Sequence, residues 1–257
     1  MTESSTHVVV IPSYNTGPIL RRTITEALAV WNPVWLFIDG STDGAHEEFL
    51  KNPEQWPGLR VFVQKENAGK GATALLAARE AMNAGYTHML LMDADGQHPT
   101  HQVAEFMAAS VEAPDATIMG QPDFGPDAPM IRLAGRQLSI ALTQVETLWG
   151  GIADPLYGFR VYPVRPLLDA FKQTTMGRRY DFDPAAAVRL FWAGVRPIKL
   201  KAAVRYVPKD EGGISHFHYL RDNLTMVCLH VRLLPEFLLK CFHIAQLKRR
   251  FRRTSAK

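Results

Sequence analysis

Apolar residues in the first half of the chain come in short runs that stop abruptly at turn residues. "HVVVIPSYN" is β-branched and closed by Pro, Ser and Asn, which predicts a buried strand from His7. "PILRRTITEALAVW" follows, with Ile19, Leu20, Ile24, Ala27, Leu28 and Trp31 near helical spacing. "VWLFID", "LRVFVQ" and "YTHMLLM" read as the second, third and fourth strands. Between the last two, "ATALLAAREAMNAG" predicts a helix that stops at Gly85, a residue suited to the left-handed turn after a helix. Pro99 and Thr100 open a further helix to about Glu112, and "ATIMG" is a fifth strand. Strands alternating with helices imply the α/β class, a Rossmann-like, mostly parallel sheet flanked by helices. Ligands of such sheets bind at the carboxyl ends of the strands.

Past residue 121 the texture changes. "QPDFGPDAP" has three prolines and reads as a connecting loop. "MIRLAGRQLSIALTQVETLWG" is helical and sets Arg132 and Arg136 on one face at i, i+4. "ADPLYGFRVYP" predicts a turn into a short strand, "DPAAAVRLFWAG" a helix ending at Gly194, and "PIKLKAAVRYVP" an alternating strand. "KDEGGISHFH" is a glycine-bearing loop. From Tyr219 the chain is helical and amphipathic, with a break expected at Pro235.

The polar signatures sit just behind the apolar strands: "PSYN", "DGSTDG", "KENAGKG" and "DADGQ" follow the first four in order. One rim of the sheet would therefore collect Asp39, Lys70, Asp93 and Asp95. Two short carboxylates one residue apart, Asp93 and Asp95, can chelate a hard divalent cation such as Mg²⁺ or Mn²⁺, which in turn neutralises a departing diphosphate. The competing reading of an Asp before a helix is an N-cap. Asp39 can accept a hydrogen bond from a nucleobase N–H or a ribose hydroxyl, or close a simple turn. "NAGKG" offers backbone N–H groups and Lys70 near a helix N-terminus, a fit for anions. It is not a P-loop, since Gln64 stands where the first glycine is needed, and no G-x-G-x-x-G follows the first strand.

Composition narrows the field. A hydrophobic share of 47% against 21% charged residues predicts a packed core rather than disorder. Two cysteines, Cys228 and Cys241, form no disulfide framework or zinc quartet and suit a reducing compartment. From the polar start "MTESSTH" no secretory signal is expected, and no stretch of about 18–20 residues is free of charge, so no membrane span is expected either. The net charge of +4 is concentrated in "KRRFRR" at the end. A single basic cluster without an aromatic-interleaved platform elsewhere is weak support for nucleic-acid binding, and none is expected.

Taken in order, "VVVIPSYN", "DGSTDG", "NAGKGAT", "DADGQHP" and "DPLYGFRVYP" resemble the family 2 glycosyltransferases, most closely the branch of dolichol-phosphate and polyprenyl-phosphate sugar synthases. The resemblance covers about residues 7–215. It implies a GT-A fold, a nucleotide-sugar donor and a Mg²⁺ or Mn²⁺ ion. It sets Pro12, Tyr14 and Asp39 in the nucleotide pocket, and Asp93, Asp95 and Gln97 at the metal; Lys70 of "NAGKG", Asp93, and Ser215 of the glycine-bearing loop are the further donor-binding candidates. One departure stands out: the family reads D-D-G-S or D-N-G-S after the second strand, and this chain reads Ile38-Asp39-Gly40-Ser41.

The implied organisation is a catalytic domain over 1–215, with a nucleotide-sugar half at 7–121 and an acceptor half at 122–215, then an amphipathic, basic tail at 216–257. In relatives that glycosylate a hydroxyl, an acid near "RRYDFDP" is the general base, which makes Asp183 and Asp181 the candidates; a phosphate acceptor needs no base. The competing reading is an N-cap plus a core-facing acid. Arg132, Arg136, Arg160 and His216 are candidates for a phosphate acceptor or the diphosphate, although surface arginines are commonly just solvated. The leading expectation is inverting sugar transfer from a UDP or GDP donor to a lipid-linked or membrane-presented acceptor such as a polyprenyl phosphate. The alternatives are transfer to a soluble or polymer hydroxyl or an aryl-polyene-type lipid, and an inactive nucleotide-sugar-binding module. The tail either lies on an anionic membrane surface, placing the protein peripherally on the cytoplasmic face, or packs on the catalytic domain.

Overall fold

The computed structural model describes residues 3–123, 130–205 and 219–254. Strands β1 (His7–Ser13), β2 (Val34–Asp39), β3 (Leu59–Gln64) and β4 (His88–Leu91) alternate with helices α1 (Ile19–Val30), α2 (Glu47–Lys51) and α3 (Lys70–Asn83). Then come α4 (Val103–Glu112), β5 (Ala116–Asp123), α5 (Met130–Glu146), β6 (Arg160–Pro163), α6 (Val164–Phe171), α7 (Phe182–Trp192), β7 (Arg196–Ala203) and α8 (Tyr219–Thr254). Among the described residues the strands form one sheet in the order β3-β2-β1-β4-β6-β5-β7. All neighbours are parallel except β6, which runs against both β4 and β5.

Alternation along β1 explains why both faces are covered. Val8 and Val10 join one core with Phe37, Met89, Leu91, α3, α6 and α7. Val9 and Ile11 join the other with Leu36, Ile38, Leu90, α1 and α4. A strand buried on both sides reads as a continuous apolar run, as β1, β2 and β4 do. The register pairs Ser13 with Ile38, and Asp39 with Gln64, so the strand ends fall at one level and their loops open on one rim.

The tail is part of this body. Leu229, Leu233, Phe237, Ile244, Leu247 and Phe251 of α8 belong to the first core, so 216–257 is not a free appendage where it is described. The expected break at Pro235 is absent: α8 runs through it for 36 residues. Pro235 and Val231, whose carbonyl loses its helical partner, are both exposed, so solvent can satisfy that carbonyl. On the opposite face Leu233, Phe237 and the Arg189–Glu236 ion pair (2.7 Å) hold both halves to the body. Helices α2 and α6 lie outside the elements read from the sequence. The expected loop at 121–129 is strand up to Asp123, and 124–129 lie outside the described residues.

Candidate active site

The rim is assembled by loops that hold each other. Asn15 Oδ1 accepts the Thr42 N–H at 2.7 Å, and the Asn15 N–H donates to Ser41 Oγ at 3.0 Å, tying "PSYN" to "DGSTDG". The Gly17 N–H donates to Asp43 Oδ2 at 2.8 Å. Pro12 sits on β1 opposite Phe37, and Tyr14 is exposed just beyond it.

Asp39 is buried, and its carboxylate accepts the N–H groups of Ala68 (2.7 Å) and Gly69 (2.8 Å) and the Asn67 amide (3.1 Å). This places Asp39 as the anchor of the "NAGKG" loop. It also takes up two of the N–H groups that the sequence had suggested for an anion. Gly69, at φ 97°, then turns the chain into α3 with Lys70 at the first helical position. Gly40, at φ 68°, is needed here because a Cβ would collide with the backbone of Glu66 and Asn67.

Lys70 is the centre of the site. Its Nζ lies 2.7 Å from Asp93 Oδ1 and 2.8 Å from Asp183 Oδ2. Burial disfavours the ammonium, but Asp183 and Asp93 outweigh it and raise its pKa. Gly158 makes the approach possible, since a Cβ there would meet Lys70 Nζ at 2.6 Å. For Asp93, burial would raise the pKa, but Lys70 and then His98 hold it below the usual carboxylate value. The Asp93 N–H donates to His98 Nδ1 at 2.9 Å, so Nδ1 is unprotonated and the imidazole is an internal prop for the loop. Burial lowers His98 to about 4.

Asp95 differs from its neighbour. Its Oδ1 accepts the Gln97 N–H (3.0 Å), and burial followed by the charge of Asp93 pushes it up to about 7. A carboxyl held in this way gains from a cation. The donor set of Asp93 and Asp95 suits Mg²⁺ or Mn²⁺, which keep positions for substrate phosphates and water rather than a full protein cage. No group of three or more His, Cys, Asp or Glu side chains that could hold a metal occurs among the described residues. Gln97 adds its carbonyl to the Arg205 N–H at 3.0 Å.

The two candidate bases separate. Asp181 precedes α7, and its oxygens accept the N–H groups of Gly177 (2.8 Å) and Arg179 (3.0 Å), closing a turn. Asp183 lies in the first turn of α7, 4% exposed, with Oδ2 on Lys70 and Oδ1 without a hydrogen-bond partner among the described residues. Arg160, expected at an acceptor phosphate, is fully buried instead. Its guanidinium donates to the carbonyls of Asp183 (2.7 Å), Asp154 (3.1 Å) and Pro155 (2.7 Å). It clamps the strand-turn under the site, because a buried guanidinium needs several acceptors and backbone carbonyls supply them. Arg136 pairs with Asp154 at 2.6 Å. The side chain of Arg132, and Ser215 and His216 entirely, lie outside the described residues.

Two residues join the site that were not among the candidates. His98 is one. The other is Tyr157, edge-on to His98 at 4.9 Å, with its buried hydroxyl lacking a partner among the described residues. Burial and then the charges of Asp93 and Asp95 raise its pKa, which marks its closeness to the carboxylate pair. Both lie inside motifs visible in the sequence, "DGQHP" and "DPLYGFR".

The profile of Glycosyl transferase family 2 matches residues 8–167. A polyprenol monophosphomannose synthase of Mycolicibacterium smegmatis is 28% identical over 165 residues, 60% of this chain and 60% of that protein. The chain thus matches less than two thirds of that relative's length. Among solved structures, TarS residues 1–349 from S. aureus with UDP-GlcNAc aligns at TM-score 0.59 and 15% identity, over 96% of this chain and 71% of that one. The mannosyltransferase PcManGT of Pyrobaculum calidifontis, with GDP-Man and Mn²⁺, aligns at TM-score 0.55 and 18% identity, over 79% and 57%. At these identities the structures establish a shared fold, the GT-A fold of glycosyltransferases.

Proposed function

The chain belongs to glycosyl transferase family 2, and from that premise we propose that it is an inverting, metal-dependent transferase moving a hexose from a UDP or GDP donor to a lipid-linked acceptor such as a polyprenyl phosphate. The observation that carries this reading is Lys70, which holds the first acid of the D-x-D pair and the acid of α7 on one ammonium at the strand rim. A Mg²⁺ or Mn²⁺ ion on Asp93 and Asp95 would supply Lewis-acid neutralisation of the diphosphate. Lys70 adds a fixed positive charge beside Asp93, and the His98 prop keeps the loop from relaxing. The acceptor oxygen attacks the anomeric carbon, the bond to the diphosphate oxygen breaks, and the nucleoside diphosphate leaves with the electron pair.

The buried position of Asp183 favours a phosphate acceptor. A hydroxyl acceptor requires a base presented to it, whereas Asp183 is 4% exposed and tied to Lys70. An ionised phosphate needs no such help. The relatedness to a polyprenol monophosphomannose synthase and the exposed apolar face of α8 support a lipid-borne acceptor at the cytoplasmic membrane face. Transfer to a soluble or polymer hydroxyl is the second reading, with the open Oδ1 of Asp183 as base.

The test is a donor screen by calorimetry with Mn²⁺ and UDP- or GDP-sugars, followed by transfer assays to a polyprenyl phosphate. Asp95→Ala should remove transfer while the circular dichroism spectrum is kept, and EDTA should do the same to the native chain. Transfer that survives both treatments refutes the metal-dependent reading. A loss of about 10²–10⁴ in turnover for Asp183→Asn, with donor affinity unchanged, would move the acceptor to a hydroxyl.

A further inference from the structure

The outer surface of the α5–α8 pair is apolar where the strand rim is polar. On α8, Leu224, Val227, Val231, Leu234, Leu238 and Phe242 are all exposed and recur at steps of three and four, forming one stripe along the helix. The buried stripe of the same helix faces the body. Leu138 and Val145 are exposed on α5, one above the other. The two stripes adjoin. Ser139 Oγ and Glu146 Oε1 lie 3.0 Å and 2.9 Å from the two ring nitrogens of the buried His230. Those residues are next to Leu138 and Val145 on α5, and His230 lies among Val227, Val231 and Leu234 on α8. The clasp therefore runs beneath one apolar face built from both helices.

Trp149 extends that face and is 62% exposed. Leu148 and Trp149 both have left-handed backbone, φ 51° and 57°, which side chains other than glycine rarely adopt. Here a strained turn holds an indole in water. The turn rests on the body through Gly150, where a Cβ would collide with the Phe191 ring. Phe191 is edge-on to Phe251 at 5.5 Å, inside the basic run Lys248–Arg253. The turn that carries the indole is thus linked through Phe191 to Phe251 at the cationic end of α8.

Charge decides between occupants. None of the exposed described residues of α5 and α8 is acidic, whereas Arg232, Lys240, Arg249, Arg252 and Arg253 are exposed. A second copy of the chain would bring the same positive face and no complement. From this combination we infer that the α5–α8 face docks the protein on an anionic bilayer, with Trp149 at headgroup level beside the arginines and the stripe against the acyl boundary. The inference deepens the membrane placement proposed above, and it is independent of the chemistry at Lys70.

The experiment is sedimentation of the full chain with phosphatidylcholine vesicles, with or without phosphatidylglycerol. The variants are Trp149→Ser, Leu238→Glu and a triple Arg249→Ser, Arg252→Ser, Arg253→Ser, each checked for fold by circular dichroism. Binding should require phosphatidylglycerol. It should weaken about tenfold in Trp149→Ser, about a hundredfold in the arginine triple, and vanish in Leu238→Glu. Nucleotide affinity measured by calorimetry on the same variants should not change; its absence throughout would count against the transferase reading and leave the docking face standing. Vesicle binding that is absent, or indifferent to all three variants, overturns the inference. So does light scattering that shows a dimer dissolved by Leu238→Glu with no vesicle binding, which would assign the face to a second copy.

Discussion

At the scale of single residues the site depends on buried charges that are matched one against another. Removing one partner leaves the other uncompensated, which costs far more than a surface ion pair contributes. Lys70→Met should therefore destabilise the protein by about 3 kcal/mol in urea unfolding, and Asp183→Asn by a comparable amount. The double variant should cost clearly less than the sum, because the pair is lost together; strict additivity would deny the contact. Asp39→Ala should cost about 1–3 kcal/mol through the unpaired Ala68 and Gly69 N–H groups, and should weaken nucleotide binding through the loop rather than through a lost base contact. Nucleotide affinity that is unchanged beside the stability loss would show that this loop does not carry nucleotide binding. Much of this rim was legible in the sequence, because Asp39, Lys70, Asp93 and Asp95 all follow apolar strands. What was not legible was who holds whom. Asp183 reaches Lys70 across 113 positions, and a guanidinium carries no mark in sequence that tells a solvated Arg160 from one clamped on three carbonyls. Asp181 and Asp183 look alike on paper, and only the turn at Gly177 and Arg179 distinguishes them.

At the scale of elements the pattern carried the strands well, since runs buried on both faces are continuous in sequence. It missed α2 and α6, which are too short to show a period. It also expected Pro235 to interrupt a helix that tertiary contacts carry through. The opposite end of the sheet from the site supplies a test of how β1, β4 and α4 are joined. His7 on β1 stacks on His88 of β4, with ring centroids 4.5 Å apart, and its Nε2 meets Ser110 Oγ of α4 at 3.1 Å. Thr6 Oγ1 lies 2.8 Å from Nδ1, and His88 is the titratable group facing it. Burial, and then His88, lowers His7 to about 4. The folded value lies below the unfolded one, near 6.5, so the unfolded chain takes up the proton first. This contribution is complete above about pH 6.5 and is lost as the pH falls toward 4, a change on the order of 3 kcal/mol. His7→Gln should flatten the stability profile across that window. Parallel profiles for the native chain and the variant would show that His7 is not held neutral.

At the scale of the molecule, α8 has to do two things that pull its composition in opposite directions. One face completes the core above α7, and the other presents apolar side chains to the surroundings. A helix apolar on nearly every side except a narrow charged strip reads in sequence as a membrane-seeking tail, and only the packing shows which apolar residues belong to the body. The two roles make separable predictions. Leu233 is fully buried in the first core, so Leu233→Ala should cost about 2–5 kcal/mol, the transfer term plus the cavity left behind. Leu238 is 62% exposed on the outer stripe, and Leu238→Ser should change stability by no more than about 0.5 kcal/mol. Chemical unfolding of the two variants in the absence of lipid makes the comparison. Equal, small effects would mean that α8 detaches from the body in solution. Equal, large effects would mean that the outer stripe is covered in solution. The predicted asymmetry leaves the stripe with no part in holding the described residues together, so its apolar character fits the docking role inferred for it.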